Sequence, residues 1–93
     1  MEIKRIRPNG EEYFPYRNRS GFFVMADPAN GQQKHLAKNE VFCADLDEVL
    51  ANIVERGFHL WMKGADTGQQ NLISPKSIII NGTPATEVET TND

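Results

Sequence analysis

The stretch DLDEVLANIVERGFHLWMK, residues 45–63, holds two structural periods joined by one glycine. In its first part Leu46, Val49, Leu50, Ile53 and Val54 recur at helical spacing and form one apolar stripe. Asp45 stands where an N-cap is needed, and Glu48 follows at the spacing of a capping box. Asp47 and Glu48 suit the positive end of the helix dipole and Arg56 the negative end. Gly57 supplies the left-handed residue that closes such a helix. The period then becomes two. Phe58, Leu60 and Met62 share one face of a strand, and His59, Trp61 and Lys63 share the other. A helix over 46–56 followed by an amphipathic strand predicts helix-on-sheet packing, with the Phe58 face and Leu46, Val49, Leu50 and Ile53 buried against each other.

Working outward, residues 21–26 (GFFVMA) predict a strand that is apolar on both faces. Phe22, Val24 and Ala26 take one side, Phe23 and Met25 the other. Pro28 and Asn30-Gly31 then turn the chain. A return strand is expected at about 33–38, and Val41-Phe42-Cys43 leads into the helix. Upstream, residues 2–6 predict a short edge strand, protected by Lys4 and Arg5. Residues 11–20 mix Tyr13, Phe14 and Tyr16 with Arg17, Arg19 and Pro15, which removes a backbone donor. An irregular or edge segment pinned by its rings is expected there. Downstream, Ser74-Pro75-Lys76-Ser77 reads as a 3₁₀ turn, residues 78–80 as a last strand, and Asn81-Gly82 as its end. The expected fold is α+β: a single domain over 1–82, with a curved, mostly antiparallel sheet of about five strands and one helix. A small β-barrel with one helix is the alternative. Residues 83–93 carry one Val and no larger apolar side chain, so a disordered acidic tail is expected.

Composition narrows the function classes. Cys43 is the sole cysteine of the 93 residues, which excludes an intrachain disulfide and a Cys-based zinc cage. No apolar run approaches the length of a membrane span, and no signal-peptide pattern follows Met1, so a cytoplasmic location is expected. The net charge is −3, split as +3 over residues 1–38 and −6 over residues 39–93. That asymmetry suits association with a charged partner or with a second copy.

Chemical constellations are sparse. Cys43, His35, His59, Asp45 and Asp47 supply the residue types of a nucleophile and base, but nothing in their spacing joins them. Two unlinked histidines do not make a metal site. Gly64 and Gly68 bracket a loop without a phosphate-binding pattern. No catalytic residue, cofactor or metal is therefore assigned, and the chain is read as a non-enzyme. Trp61 is set opposite the core face, and exposed aromatic rings favour docking. With His59 and Lys63, and with Tyr13, Phe14, Tyr16, Arg17 and Arg19, it makes a candidate interaction surface. The expected function is protein binding, including homodimer formation. Two alternatives are single-stranded nucleic-acid binding through the basic-aromatic N-terminal region and small-molecule binding between the sheet and residues 11–20. The intervening Glu2, Glu11 and Glu12 weigh against nucleic acid.

Overall fold

The computed structural model describes residues 1–28 and 39–88. Among them one α-helix, α1 (Leu46–Arg56), packs on an open antiparallel sheet. The strands are β1 (Ile3–Ile6), β2 (Glu12–Pro15), β3 (Phe23–Ala26), β4 (Glu40–Cys43), β5 (His59–Gly64), β6 (Gln70–Ile73), β7 (Ile79–Ile80) and β8 (Thr83–Pro84). Their spatial order is β4-β3-β5-β2-β1-β7-β8, with β6 beside β5. The α+β class is as expected. The sheet has more strands than the five expected, and it does not close into a barrel.

The helix ends follow the local chemistry. Asp45 accepts a bond from the Glu48 amide at 3.0 Å, and the Glu48 carboxylate accepts one from the Ala44 amide at 3.1 Å. Gly57 is left-handed (φ 70°), and the Phe58 amide turns back to the Asn52 carbonyl at 3.0 Å. Along the stripe only Val49 and Ile53 are buried; Leu46, Leu50 and Val54 are partly buried flanks. The expected burial of Leu46 and Leu50 is thus corrected. A helix resting on a sheet seals the line that faces it; Leu50 and Val54 sit about 100° round the axis from Val49 and Ile53, at the border, and Leu46 is the first residue of the helix.

Strand β5 is the hub. Strand β6 lies along one edge, and β2 and β3 share the other: Phe14 pairs with Lys63 and Pro15 with Met62, then Met25 with Leu60 and Ala26 with His59. Between β2 and β3 the chain leaves this edge and returns. Pro15 cannot donate to a ladder. The excursion is closed by the Arg17–Phe23 bridge and by Asn18 Oδ1, which accepts from the Ser20 and Phe22 amides at 2.9 and 3.0 Å. Met25, Leu60, Met62 and Cys43 are fully buried beside Val49 and Ile53 in one core.

Two further expectations change, at residues 3–6 and at Gly82. Residues 3–6 are not an edge, because β1 lies between β2 and β7, with Ile3 opposite Ile80. The partner of β3 is 40–43; the expected strand at 33–38, with His35, lies outside the described residues. The domain also does not stop at Gly82. Asn81 (φ 50°) and Gly82 (φ 82°) make the two-residue turn of a β7–β8 hairpin. The Ala85 amide then donates to the Ile78 carbonyl at 2.8 Å, Ala85 is 4% exposed, and Val88 packs on the core. Counting large apolar side chains missed this, because backbone pairing, the Ala85 methyl and the small Val88 side chain do the docking. Among the described residues no helix is long and apolar enough to cross a membrane.

Candidate functional site

Cross-strand register sorts the sheet into two faces, since paired residues project to the same side. Cys43 and Phe23, Val41 and Met25, and Leu60 and Ile73 pair on the helix side. Phe42 pairs with Val24, and Trp61 with Leu72, on the opposite side. The Met25–Leu60 register, carried on by one residue, sets Val24 level with Trp61. The outer face therefore bears an apolar row, Phe42-Val24-Trp61-Leu72, across four strands. Glu40, Ala26 and His59 flank it on one side, and Phe14, Lys63 and Gln70 on the other.

This row is covered unevenly. Val24 is 4% exposed, but Phe42 is 52% and Phe22 is 40% exposed. Their rings lie 6.4 Å apart at 60°, beside a hollow of about 290 Å³ that Asn18 and Ser20 also line. Trp61 is half-buried, and its Nε1–H is buried with no acceptor among the described residues. A buried donor left unpaired costs about 1–3 kcal/mol. Burial lowers the His59 pKa, and burial together with the Glu40 carboxylate raises that of Tyr16.

The candidate surface is thus only partly assembled. Trp61, His59 and Lys63 share the outer face with Phe14, and Lys63 is exposed. Tyr16 is half-buried and Arg19 exposed. Tyr13 is corrected out of the surface, because its side chain is fully buried in the core. It lies opposite Gly64, where an added Cβ would come within 3.1 Å of its ring. Its hydroxyl donates to Gln69 Oε1 at 3.3 Å and accepts from Arg7 Nη1 at 3.2 Å and Asn71 Nδ2 at 3.4 Å. Arg17 is exposed but engaged: its Nη1 donates to the Gly21 and Ala44 carbonyls at 2.7 and 3.2 Å, and its guanidinium sits 4.2 Å from the Phe23 ring centroid. Lys4 is likewise held by Glu12 at 3.0 Å.

Sequence reasoning missed two features. Phe22 and Phe42 form the most exposed aromatic pair, and their identity as apolar strand residues suggested only burial. Glu11 is 7% exposed, and its Oε2 accepts from the Thr67 and Asp66 amides at 2.8 and 3.2 Å. Those bonds, the Thr67 amide foremost, hold its pKa below the ordinary carboxylate value. It latches the loop after β5 across more than fifty residues of sequence, a distance at which no spacing pattern operates.

Among the described residues the candidate catalytic groups do not converge. Cys43 is buried on the helix side, receives a bond from Asn52 Nδ2 at 3.2 Å, and has its thiol pKa raised by burial. His59 projects from the other side of the sheet. Asp45 serves the helix cap. Among the described residues no group of three or more His, Cys, Asp or Glu is placed to hold a metal ion. No protein-family model, curated protein or solved structure matches this chain.

Proposed function

We propose that this domain is a non-enzymatic protein-binding module whose first partner is a second copy of itself, and that it works in the cytoplasm. The observation that carries the reading is the Phe22–Phe42 pair, exposed at the end of an apolar row that continues to Trp61 and Leu72. Contiguous apolar surface on a folded chain marks an interaction site more often than a bare surface. A polar rim of Glu40, His59, Lys63 and Gln70 around an aromatic centre is the usual composition of an interface. The free thiol of Cys43 suits a reducing compartment. Light scattering at micromolar concentration tests the proposal: the expected species is a dimer, and dilution changes the Trp61 emission. A monomer at every concentration refutes it.

One further reading has its own observation. A hollow of about 360 Å³ opens between Ile3, Phe14, Phe23 and Leu46, where a small apolar ligand has room. Nucleic acid ranks lower, because Lys4, Arg7 and Arg17 already have partners within the chain. Of the described cations in the candidate surface and the N-terminal strand, Arg5, Arg19 and Lys63 remain, too few for a phosphate track.

A further inference from the structure

We propose that Asn81 is a site of self-modification, at which the Gly82 amide nitrogen closes on the Asn81 side chain and the isoaspartyl product releases the β7–β8 hairpin. The proposal is independent of self-association.

Both residues are exposed at the tip of that hairpin. Asn81 has φ 50° and Gly82 φ 82°, the signs of a type I′ turn. In the reaction the Gly82 nitrogen gives up its proton and bonds to Asn81 Cγ, and the side-chain nitrogen leaves as ammonia. The five-membered imide so formed holds its first residue as the first central position of a type II′ turn does, with φ still positive. Types I′ and II′ both close a two-residue hairpin. They differ by a flip of the one peptide plane between Asn81 and Gly82, which reverses the sign of φ at Gly82, and glycine accepts either sign. Among the described residues neither the Gly82 amide nor the Asn81 carbonyl has a partner, so the flip breaks no hydrogen bond there. The reactive geometry is therefore reached with the hairpin closed.

The other groups of Asn81 are held. Its amide donates to the Glu2 carbonyl, and its Oδ1 accepts from the Glu2 amide, both at 2.8 Å. Neither atom belongs to the plane that flips. The second bond aims a donor at the oxygen that becomes negative as Cγ is attacked, which favours the addition. Water then opens the imide. Attack at the side-chain carbonyl leaves an ordinary aspartate. Attack at the main-chain carbonyl leaves isoaspartate, whose main chain runs through Cβ and is one atom longer. A two-residue turn has no slack for that atom. The Ile79–Pro84 and Ile80–Thr83 pairs then lose their register, and with them goes the bond from the Ala85 amide to the Ile78 carbonyl.

The test uses the full chain, held folded in mildly alkaline buffer and, in parallel, unfolded in urea. Peptide mapping follows the mass gain of amide-to-acid conversion. Cleavage after Lys76 isolates residues 77–93 from the chain's other Asn-Gly pair, Asn30-Gly31. Asn81 is expected to convert at least as fast in the folded chain as in urea, with isoaspartate among the products, read by enzymatic isoaspartyl methylation. Amide exchange over residues 78–85 is expected to quicken in the isoaspartyl fraction. It should stay native in Asn81→Asp, which carries the new charge without the extra atom. Slower conversion in the folded chain than in urea overturns the proposal, because the turn then shields Asn81. Isoaspartate with unaltered exchange over 78–85, or equal loss of protection in Asn81→Asp, overturns the release of the hairpin by the longer main chain.

Discussion

The two sides of β5 carry the same alternation and reach different ends. Leu60 and Met62 point to the helix and are fully buried, and at the same end of the strand Tyr13 and Glu11 place their polar atoms on named partners. Trp61 points the other way, half-buried, with an N–H that has no acceptor among the described residues. One helix can seal one face of a sheet. The contrast teaches that alternation fixes which residues share a side, while the supply of covering elements decides what becomes of each side.

The sharpest test of the contrast is a matched pair of truncations. Leu60→Ala is expected to cost roughly 2–5 kcal/mol, as a fully buried leucine does. Leu72→Ala, from the outer row, is expected to cost under about 1 kcal/mol. Urea denaturation of both variants at a concentration where the chain is monomeric measures the difference. Equal costs would mean that the outer face is a second sealed core.

The next effect concerns the reach of the inner core. Ending the chain after Gly82 removes β8, buried Ala85 and the Val88 contact. A loss of about 2 kcal/mol is expected from that burial and its hydrogen bonds. An unchanged melting temperature would return the domain boundary to Gly82.

Gly64→Ala probes the inner face at its tightest point. The added Cβ would stand 2.6 Å from Glu11 Oε2 and 2.9 Å from Thr67 Oγ1, so the latch must shift. Overpacking of this kind costs about 1–3 kcal/mol, and the value here should sit at the lower end because the loop is exposed. The same latch predicts a pH dependence. The folded pKa of Glu11 lies below its unfolded value, so the unfolded chain binds the proton more readily. Its stabilisation is complete above the ordinary Glu value of about 4.3 and is lost as the pH falls through the lower folded value. Acid titration of stability should therefore flatten in Glu11→Gln. An unaltered acid limb would remove Glu11 from the latch.

The smallest effect is expected at Trp61. Trp61→Phe keeps a ring in the outer row and deletes the unpaired donor, so relief of the unpaired N–H offsets the lost contact. A change within about 1 kcal/mol in either direction is expected. A loss above about 2 kcal/mol would show that the N–H has a partner in solution and that the outer face is more finished than its geometry indicates.

Much of the fold was legible because its signals are local. The Asp45 cap, the Gly57 stop and the 3₁₀ turn after Ser74 each act over two to four residues, and each is found in place. The faces of β3 and β5 were legible too, because period two is a property of a single strand. The candidate site was legible only in part. Trp61, His59 and Lys63 were assigned to one side correctly, but Tyr13 was placed on a surface it does not reach. The missing information was its register against Gly64, set by a pairing about fifty residues away.

The sequence alone determined the helix, its caps, the amphipathic strand after it and the α+β class, since these follow from backbone preferences and side-chain periods inside short windows. Tertiary structure decided that β1 is internal, that Thr83–Val88 belong to the fold, that Glu11 is buried in a loop, and that Phe22 and Phe42 stay exposed. Each of those outcomes depends on which distant segment supplies a hydrogen-bond partner or a covering side chain, and that choice is made by the packing of the whole chain.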